Sequence, residues 1–194
     1  MHELRVCEGI VLGKRGVGEA NLLVSILTPD LGLVRAMARS ARVEHSKLRY
    51  GLEPLTRARF SFVRGKNEWK LTGAEEVVRL TTTAHTTART RQAGRVAKLL
   101  LRLIHGEEVA PPLYESVKEG LGALLRTQDA STAESIESIL VLNILYHLGY
   151  LPHSEELKGF IHADFFSVEM AEEAARSRRL LMRAINESLH ATGL

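Results

Sequence analysis

Apolar and polar positions alternate through the first third of the chain, and the breaks between runs are turn-forming residues. Two apolar runs, residues 22–28 and 33–38, are separated by Pro29-Asp30-Leu31-Gly32. Proline fixes φ near about −65° and glycine accepts positive φ, so this tetrad predicts the turn of a β-hairpin. Residues 6–12 predict a strand before the hairpin. Residues 55–63 alternate after it, with Leu55, Arg57 and Arg59 on one face and Ala58, Phe60 and Phe62 on the other. The alternation breaks at Arg64-Gly65-Lys66-Asn67 and resumes over 68–73. Gly13-Lys14-Arg15-Gly16-Val17-Gly18 reads as a glycine-rich turn. No Lys-Ser/Thr pair follows its last glycine and no helix begins there, so it is not a phosphate-binding loop. Five short strands with turns between them suit a small closed barrel, in which every edge is paired. The pattern alone does not separate an OB-fold from other small barrels.

From Arg89 onward the apolar period is helical. A first helix over 89–105 ends at His105-Gly106, with glycine just past the last turn. Pro111-Pro112 opens a second, over 112–127. Ser131-Thr132-Ala133-Glu134 has the form of a capping box and starts a third, which runs to Leu148-Gly149. Ile136, Ile139, Leu140, Val141, Leu142, Ile144, Leu145 and Leu148 leave this helix without a polar face, which predicts burial at the centre of a bundle. Residues 151–166 read as a mixed connection, and Ser167 or Asp164 as the cap of a last helix ending at His190. Residues 81–87, TTTAHTT, mark the junction. The expected organisation is α+β: a β-barrel over 1–80 followed by an all-α helical bundle over 81–194.

Charge sharpens this division. Residues 1–105 hold 19 Lys+Arg against 9 Asp+Glu, a balance of +10, whereas residues 106–194 hold 7 against 14, a balance of −7. Such segregation points to a polyanion partner for the first region. The competing reading is a protein-interaction adaptor whose acidic half binds a basic partner and which has no direct DNA role. No apolar run approaches the ~18–20 residues a membrane span needs, and no apolar segment follows Met1-His2-Glu3-Leu4-Arg5 as in a signal peptide. One cysteine, Cys7, excludes an internal disulfide and a cysteine zinc site. A soluble, cytoplasmic protein is expected, with no metal and no cofactor.

Nothing in the sequence converges on catalysis. The histidines are scattered without helical His-x-x-x-His spacing. Acidic pairs such as Glu75-Glu76 and Glu172-Glu173 are adjacent and diverge on a helix, and no serine sits in a strand–turn–helix elbow. Cys7 has no activating neighbour and reads as a core residue. No catalytic site is expected.

Binding signals are stronger. Arg35, Arg39, Arg42, Lys47 and Arg49 follow one another out of the second hairpin strand, and Tyr50 beside them offers a ring on which a base can stack. Arg35 and Arg39 share a parity, so an extended strand projects them from one face together with Met37. Arg91, Arg95, Lys98 and Arg102 are spaced 4, 3 and 4 apart, which places them within about 60° of one another on a helix. Ala93, Val96, Ala97, Leu100, Leu103 and Ile104 fall on the opposite side. No acid lies between residues 77 and 106 to neutralise this ridge. Arg176, Arg179 and Arg183 form a shorter stripe flanked by glutamates, which reads as ordinary solvated surface. Trp69 is as well suited to a core as to stacking. Affinity resting on these cations comes from phosphates and is indifferent to base sequence.

The hairpin and its exit carry a family resemblance. Leu27-Thr28-Pro29-Asp30-x-Gly32, a second strand, Ala38-Arg39-Ser40-Ala41-Arg42 and Ser46-Lys47-Leu48 resemble RecO, the bacterial recombination mediator. Similar segments are Glu8-Gly9-Ile10-Val11-Leu12, Gly18-Glu19-Ala20, Leu148-Gly149-Tyr150 and Arg183-Ala184-Ile185-Asn186-Glu187. The resemblance implies an N-terminal OB-fold and binding of single- and double-stranded DNA. It also implies strand annealing and the loading of recombinase on gaps coated by single-strand DNA-binding protein. The partners implied are RecR and the acidic C-terminal tail of that coat protein, with no residues here to mark their sites. Two departures stand out. Many RecO proteins hold zinc with four cysteines after the segment matching 148–151, and residues 152–166 contain none. Ser40 stands where the family more often has glycine.

Overall fold

In a computed structural model of the chain, residues 3–66, 68–107, 111–161 and 166–193 are described. Five strands form in the first part: β1 (Leu4–Val17), β2 (Asn21–Thr28), β3 (Gly32–Ala38), β4 (Thr56–Arg64) and β5 (Trp69–Arg79). They close into a barrel in the order β1-β2-β3-β5-β4. Every pairing is antiparallel except β3 with β5, which is parallel and joins Ala36 to Trp69 and Met37 to Lys70. Alternation dictates the interior: Val24, Ile26, Val34, Ala36, Phe60, Phe62 and Leu71 fill it, and the residues between them face outward. The hairpin turn closes as its sequence requires. Gly32 takes a φ of 64°, and the Thr28 hydroxyl donates to its carbonyl at 3.0 Å while accepting from Leu31 N–H at 3.0 Å.

The glycine-rich stretch after residue 12 corrects one expectation, because it is strand rather than turn. β1 continues to Val17, pairing Gly13 with Ser25, Arg15 with Leu23 and Val17 with Asn21. A register shift between Val11 and Gly13 marks a bulge, which bends the strand and lets one long strand pair with both β4 and β2. The turn proper lies at Gly18, with φ of 60°. Likewise β5 does not stop at Gly73; it pairs with β4 as far as Arg79 opposite Thr56.

The helices are α1 (Thr87–Leu103), α2 (Pro111–Arg126), α3 (Ala130–His147), α4 (Lys158–Ile161), α5 (Val168–Arg176) and α6 (Arg178–Ala191). α3 is capped by Asp129, whose carboxylate accepts from Thr132 N–H at 2.6 Å, and not by the expected Ser131. That set of bonds holds the Asp129 carboxyl below its ordinary pKa. Most of the apolar positions of α3 are buried, and the helix packs against α4, α5 and α6. Asn143, buried in its middle, donates to Ile139 carbonyl at 2.9 Å and to Phe160 carbonyl at 2.8 Å, tying α4 to it. The expected single last helix is two. Ser167 caps α5, accepting from Met170 N–H at 3.2 Å, and the chain breaks at Ser177 before α6. Part of residues 151–166 is a 3-10 turn (Glu155–Leu157) running into α4. Asp164 and Asn67 lie outside the described residues.

Two compact units emerge: Met1–Thr82 with Ala97–Pro111, and Thr83–Val96 with Pro112–Leu194. Residues 97–111 thus group with the strands, beyond the junction expected at residue 80. Their ties are specific. Glu107 accepts the Trp69 indole N–H at 2.9 Å and pairs with Arg64 at 2.8 Å, while a Leu101 methyl lies 3.0 Å from where a Cβ on Gly13 would sit.

Candidate nucleic-acid interface

The segment leaving β3 is ordered by its own backbone. Val43 N–H bonds Ser40 carbonyl at 3.4 Å, Ser46 N–H bonds Val43 at 3.1 Å, and Arg49 N–H bonds Ser46 at 3.2 Å, a ladder of successive turns. It is anchored beneath by Ala41 and Leu52, both fully buried, and ends in a 3-10 turn, Arg49–Leu52. Laterally it is tied to the β1–β2 turn: Ser40 N–H donates to Asn21 Oδ1 at 2.9 Å and Arg42 N–H to Ala20 carbonyl at 2.9 Å. Arg42 also spends its guanidinium there, donating from Nη1 to Gly18 carbonyl at 3.1 Å. A Cβ on Gly16 would stand 3.4 Å from that nitrogen, so the missing side chain leaves room for it. Arg42 is therefore a positioning residue for the loop. Arg35, Arg39, Lys47 and Arg49 are exposed, and among the described residues none of them enters an ion pair. Tyr50 is 65% exposed, with its ring turned to solvent beside Arg49.

All four cations of α1 are exposed, as their spacing predicts. They do not share one fate. Arg95 makes a two-pronged pair with Glu137 of α3, with Nη2 at 2.9 Å from both carboxylate oxygens and Nε at 3.2 Å. Gln92 donates to the same carboxylate at 3.0 Å, and Arg89, almost wholly buried, donates to Gln92 at 2.8 Å and to the Thr127 and Gln128 carbonyls at 3.0 Å each. Charge neutralisation, absent from the local sequence, thus comes from a residue distant in the chain. Arg91, Lys98 and Arg102 enter no ion pair among the described residues. Lys98 lies one turn before Leu101, the residue seated over Gly13, whereas Arg102 points about 100° away from Leu101 round the helix; both belong to the first unit.

Strand register adds two cations that sequence inspection missed. Arg15, Leu23, Met37 and Lys70 form one outward rung across β1, β2, β3 and β5. Gly13, Ser25 and Arg35 form the next, and Val17 with Asn21 the one on the other side, just short of Arg39. None of these positions is a carboxylate. Parity assigns them to the outer face because Leu22, Val24, Ala36 and Ala38 point into the core. Local sequence puts Lys70 on a strand and Arg15 in a turn, and only the register brings them together.

Two sequence candidates for other roles find structural ones. Trp69 is buried, with the Arg64 guanidinium 4.6 Å from its ring centre and Glu107 on its N–H, so no face is free for a base. Cys7 lies in the barrel core; burial, reinforced by Asp30 and partly offset by a hydrogen bond with Thr28, pushes its thiol up to about 11. Its thiolate is scarce at neutral pH, which removes it as a nucleophile. No group of three or more His, Cys, Asp or Glu among the described residues could hold a metal ion. No helix there is long and apolar enough to cross a membrane.

Comparison with known proteins bears on the same region. Residues 1–78 match the family model described as recombination protein O N terminal. This part of the chain belongs to the RecO family. The similarity runs on past it. The DNA repair protein RecO of Dehalococcoides mccartyi is 29% identical over 149 residues, covering 77% of this chain and 58% of that protein. That of Heliobacterium modesticaldum is 30% identical over 145 residues, covering 75% and 51%, and that of Bacillus subtilis 28% over 162 residues, covering 82% and 64%. The chain therefore spans little more than half the length of the RecO proteins it matches. Matching segments reach from the barrel into the helices, as the order of the sequence motifs implied.

Proposed function

We propose that this chain is a non-enzymatic DNA-binding protein of DNA repair and homologous recombination, and that its barrel is an OB-fold used to hold DNA. The observation that carries the reading is the set of exposed cations on the first unit. Arg35, Arg39, Lys47 and Arg49 on β3 and its exit, and Lys98 and Arg102 on α1, enter no ion pair among the described residues. Unpaired cations of one sign repel one another and disfavour the compact state, but they are suited to a polyanion. Single- and double-stranded DNA would both be held, because phosphates are common to them. The relatives' name, DNA repair protein RecO, points the same way. Arg91 is available as a further contact, whereas Arg95 is engaged with Glu137 and Arg42 with Gly18.

By the same family reading, the protein would act in the cytoplasm at the nucleoid, anneal complementary strands and help load recombinase. Its partners would be RecR and the tail of single-strand DNA-binding protein. Equilibrium binding to labelled single-stranded and duplex oligonucleotides tests the core of this. The account expects binding to both that weakens steeply as salt rises. Failure to bind either at low salt would overturn it in favour of the adaptor reading.

A further inference from the structure

Resting on the DNA-binding reading, we propose that Glu107 is a built-in competitor of DNA: its carboxylate fills an anion site made by Arg64 and Trp69, and a bound strand takes that site by putting a phosphate in its place. Arg64 and Trp69 are cross-strand partners at the turn that joins β4 to β5. The Arg64 guanidinium lies 4.6 Å from the Trp69 ring centre, and Trp69 is only 6% exposed. Glu107, beyond the end of α1, brings one carboxylate to both. Its Oε1 accepts from Trp69 Nε1 at 2.9 Å and from Arg64 Nη1 at 2.8 Å, and its Oε2 accepts from the same Nη1 at 3.0 Å. Gly106, with φ of 96°, turns the chain just before it. All of these residues belong to the first unit. A charged donor and a neutral donor thus converge on one anion, and the anion is supplied by the chain itself.

Two observations mark this carboxylate as replaceable. The Arg64 and Glu107 side chains are 48% and 47% exposed, so their pair is weak, screened by salt and open to an anion arriving from solvent. The surroundings are also more positive than Glu107 can neutralise, because Arg64, Lys66 and Lys70 outnumber Glu68 and Glu107. Lys66 is exposed in the turn, and Lys70 reaches back to it, with its Cε 3.5 Å from where a Cβ on Gly65 would sit. Neither lysine enters an ion pair among the described residues. A guanidinium accepts a phosphate in the same forked geometry as a carboxylate, and a strand brings further phosphates for the lysines. Lys70 shares its rung with Arg15, so a polyanion lying on that basic surface is the one that reaches Arg64. Once displaced, Glu107 keeps its charge beside the strand. Only a strand already held by other cations therefore opens the site, and Glu107 sets a threshold against short or weakly held ones.

The test titrates labelled oligothymidylate into the full chain and into Glu107→Gln, which removes the charge, keeps the size and leaves a carbonyl for the Trp69 N–H. Glu107→Gln should bind more tightly, and the exposure of the pair limits the gain to about two- to fivefold. That gain should vanish when Arg64→Gln is added, since Arg64 is what the two anions compete for. Trp69 is the sole tryptophan of the chain, so its emission should change as the unaltered protein is saturated with the strand. Equal or weaker binding by Glu107→Gln would overturn the competitor, with DNA binding intact. A gain that persists in full beside Arg64→Gln would overturn it too, as a general charge effect, and so would Trp69 emission that stays constant at saturation. A polyglutamate peptide that moves Trp69 emission and gains from Glu107→Gln as much as oligothymidylate does would overturn it in favour of an acidic protein partner. Absence of salt-dependent binding to any strand would instead defeat the DNA reading, and the competitor with it.

Discussion

Reversing charge at Arg95 and at Arg102 should have opposite consequences, although the two residues look equivalent in sequence. Arg95 is itself 62% exposed, but its partner Glu137 is only 19% exposed and also accepts from Gln92, which is joined to the almost fully buried Arg89. Exposure of the arginine limits the pair to the range of surface salt bridges, up to about 1 kcal/mol. Arg95→Glu also puts a second carboxylate against Glu137. Two like charges about 4 Å apart repel by about 1 kcal/mol even in bulk water. The expected loss is therefore roughly 1–2 kcal/mol, or ~2–8 °C in melting temperature for a chain of this size. Arg102→Glu touches no partner among the described residues and should stay within about 0.5 kcal/mol. Thermal unfolding followed by circular dichroism reads both, and Arg95→Glu combined with Glu137→Arg should recover much of the loss by restoring opposite charges. In oligonucleotide binding the ranking inverts, with Arg102→Glu the more damaging. Unchanged melting for Arg95→Glu, with the larger fall in DNA affinity, would refute the assignment of Arg95 to the helical unit's own stability.

Ser40 holds a φ of 51°, a region costly for a residue with a side chain, and uses only its backbone N–H to reach Asn21. Ser40→Gly should stabilise by roughly 0.5 kcal/mol, the relief of ~1–2 kcal/mol less glycine's extra chain entropy, as judged by denaturant midpoint. Gly120 sits where a Cβ would come within 2.7 Å of Leu140 and 2.9 Å of Phe166. Gly120→Ala should destabilise despite alanine's ~1 kcal/mol advantage in a helix, because overpacking costs ~1–3 kcal/mol; a raised melting temperature would contradict this. The Cys7 thiol, raised to about 11 by burial, should react slowly with a thiol reagent at pH 8. The sign is that of an acid kept protonated by the fold. Its stabilising share is complete below the unfolded thiol's pKa and is lost as pH rises toward 11, so a reaction rate titrating near 8.5 in the folded protein would be the wrong result.

Much of the architecture was legible because local signals agree with it. The Pro-Asp-Leu-Gly turn, the alternation of 55–63 and the proline and glycine punctuation of α1 and α2 locate elements that the structure contains. The misses share one cause, which is that cross-chain partners leave no trace in local pattern. Residues 13–17 look like a turn because they are rich in glycine and cations, yet β2 supplies a ladder for them. Asp129 outcompetes Ser131 as a cap by geometry that spacing alone does not rank. Arg95 seems free until Glu137 arrives 42 residues later, and Arg15 and Lys70 belong to one surface only once the register is known. Arg42 counts as one more basic residue in sequence, but its hydrogen bond to Gly18 makes it a support for the loop that carries the others.

The most direct measurement is the salt dependence of binding to a labelled single strand, for the unaltered chain and for the combined variant Arg35→Gln, Arg39→Gln, Lys98→Gln and Arg102→Gln. If these four side chains each neutralise a phosphate, the slope of log affinity against log salt should shrink by about 0.7 for each, roughly 2.8 in all, with melting nearly unchanged. A variant that keeps both the slope and the affinity of the unaltered protein would show that DNA, if it binds at all, does not bind through this surface.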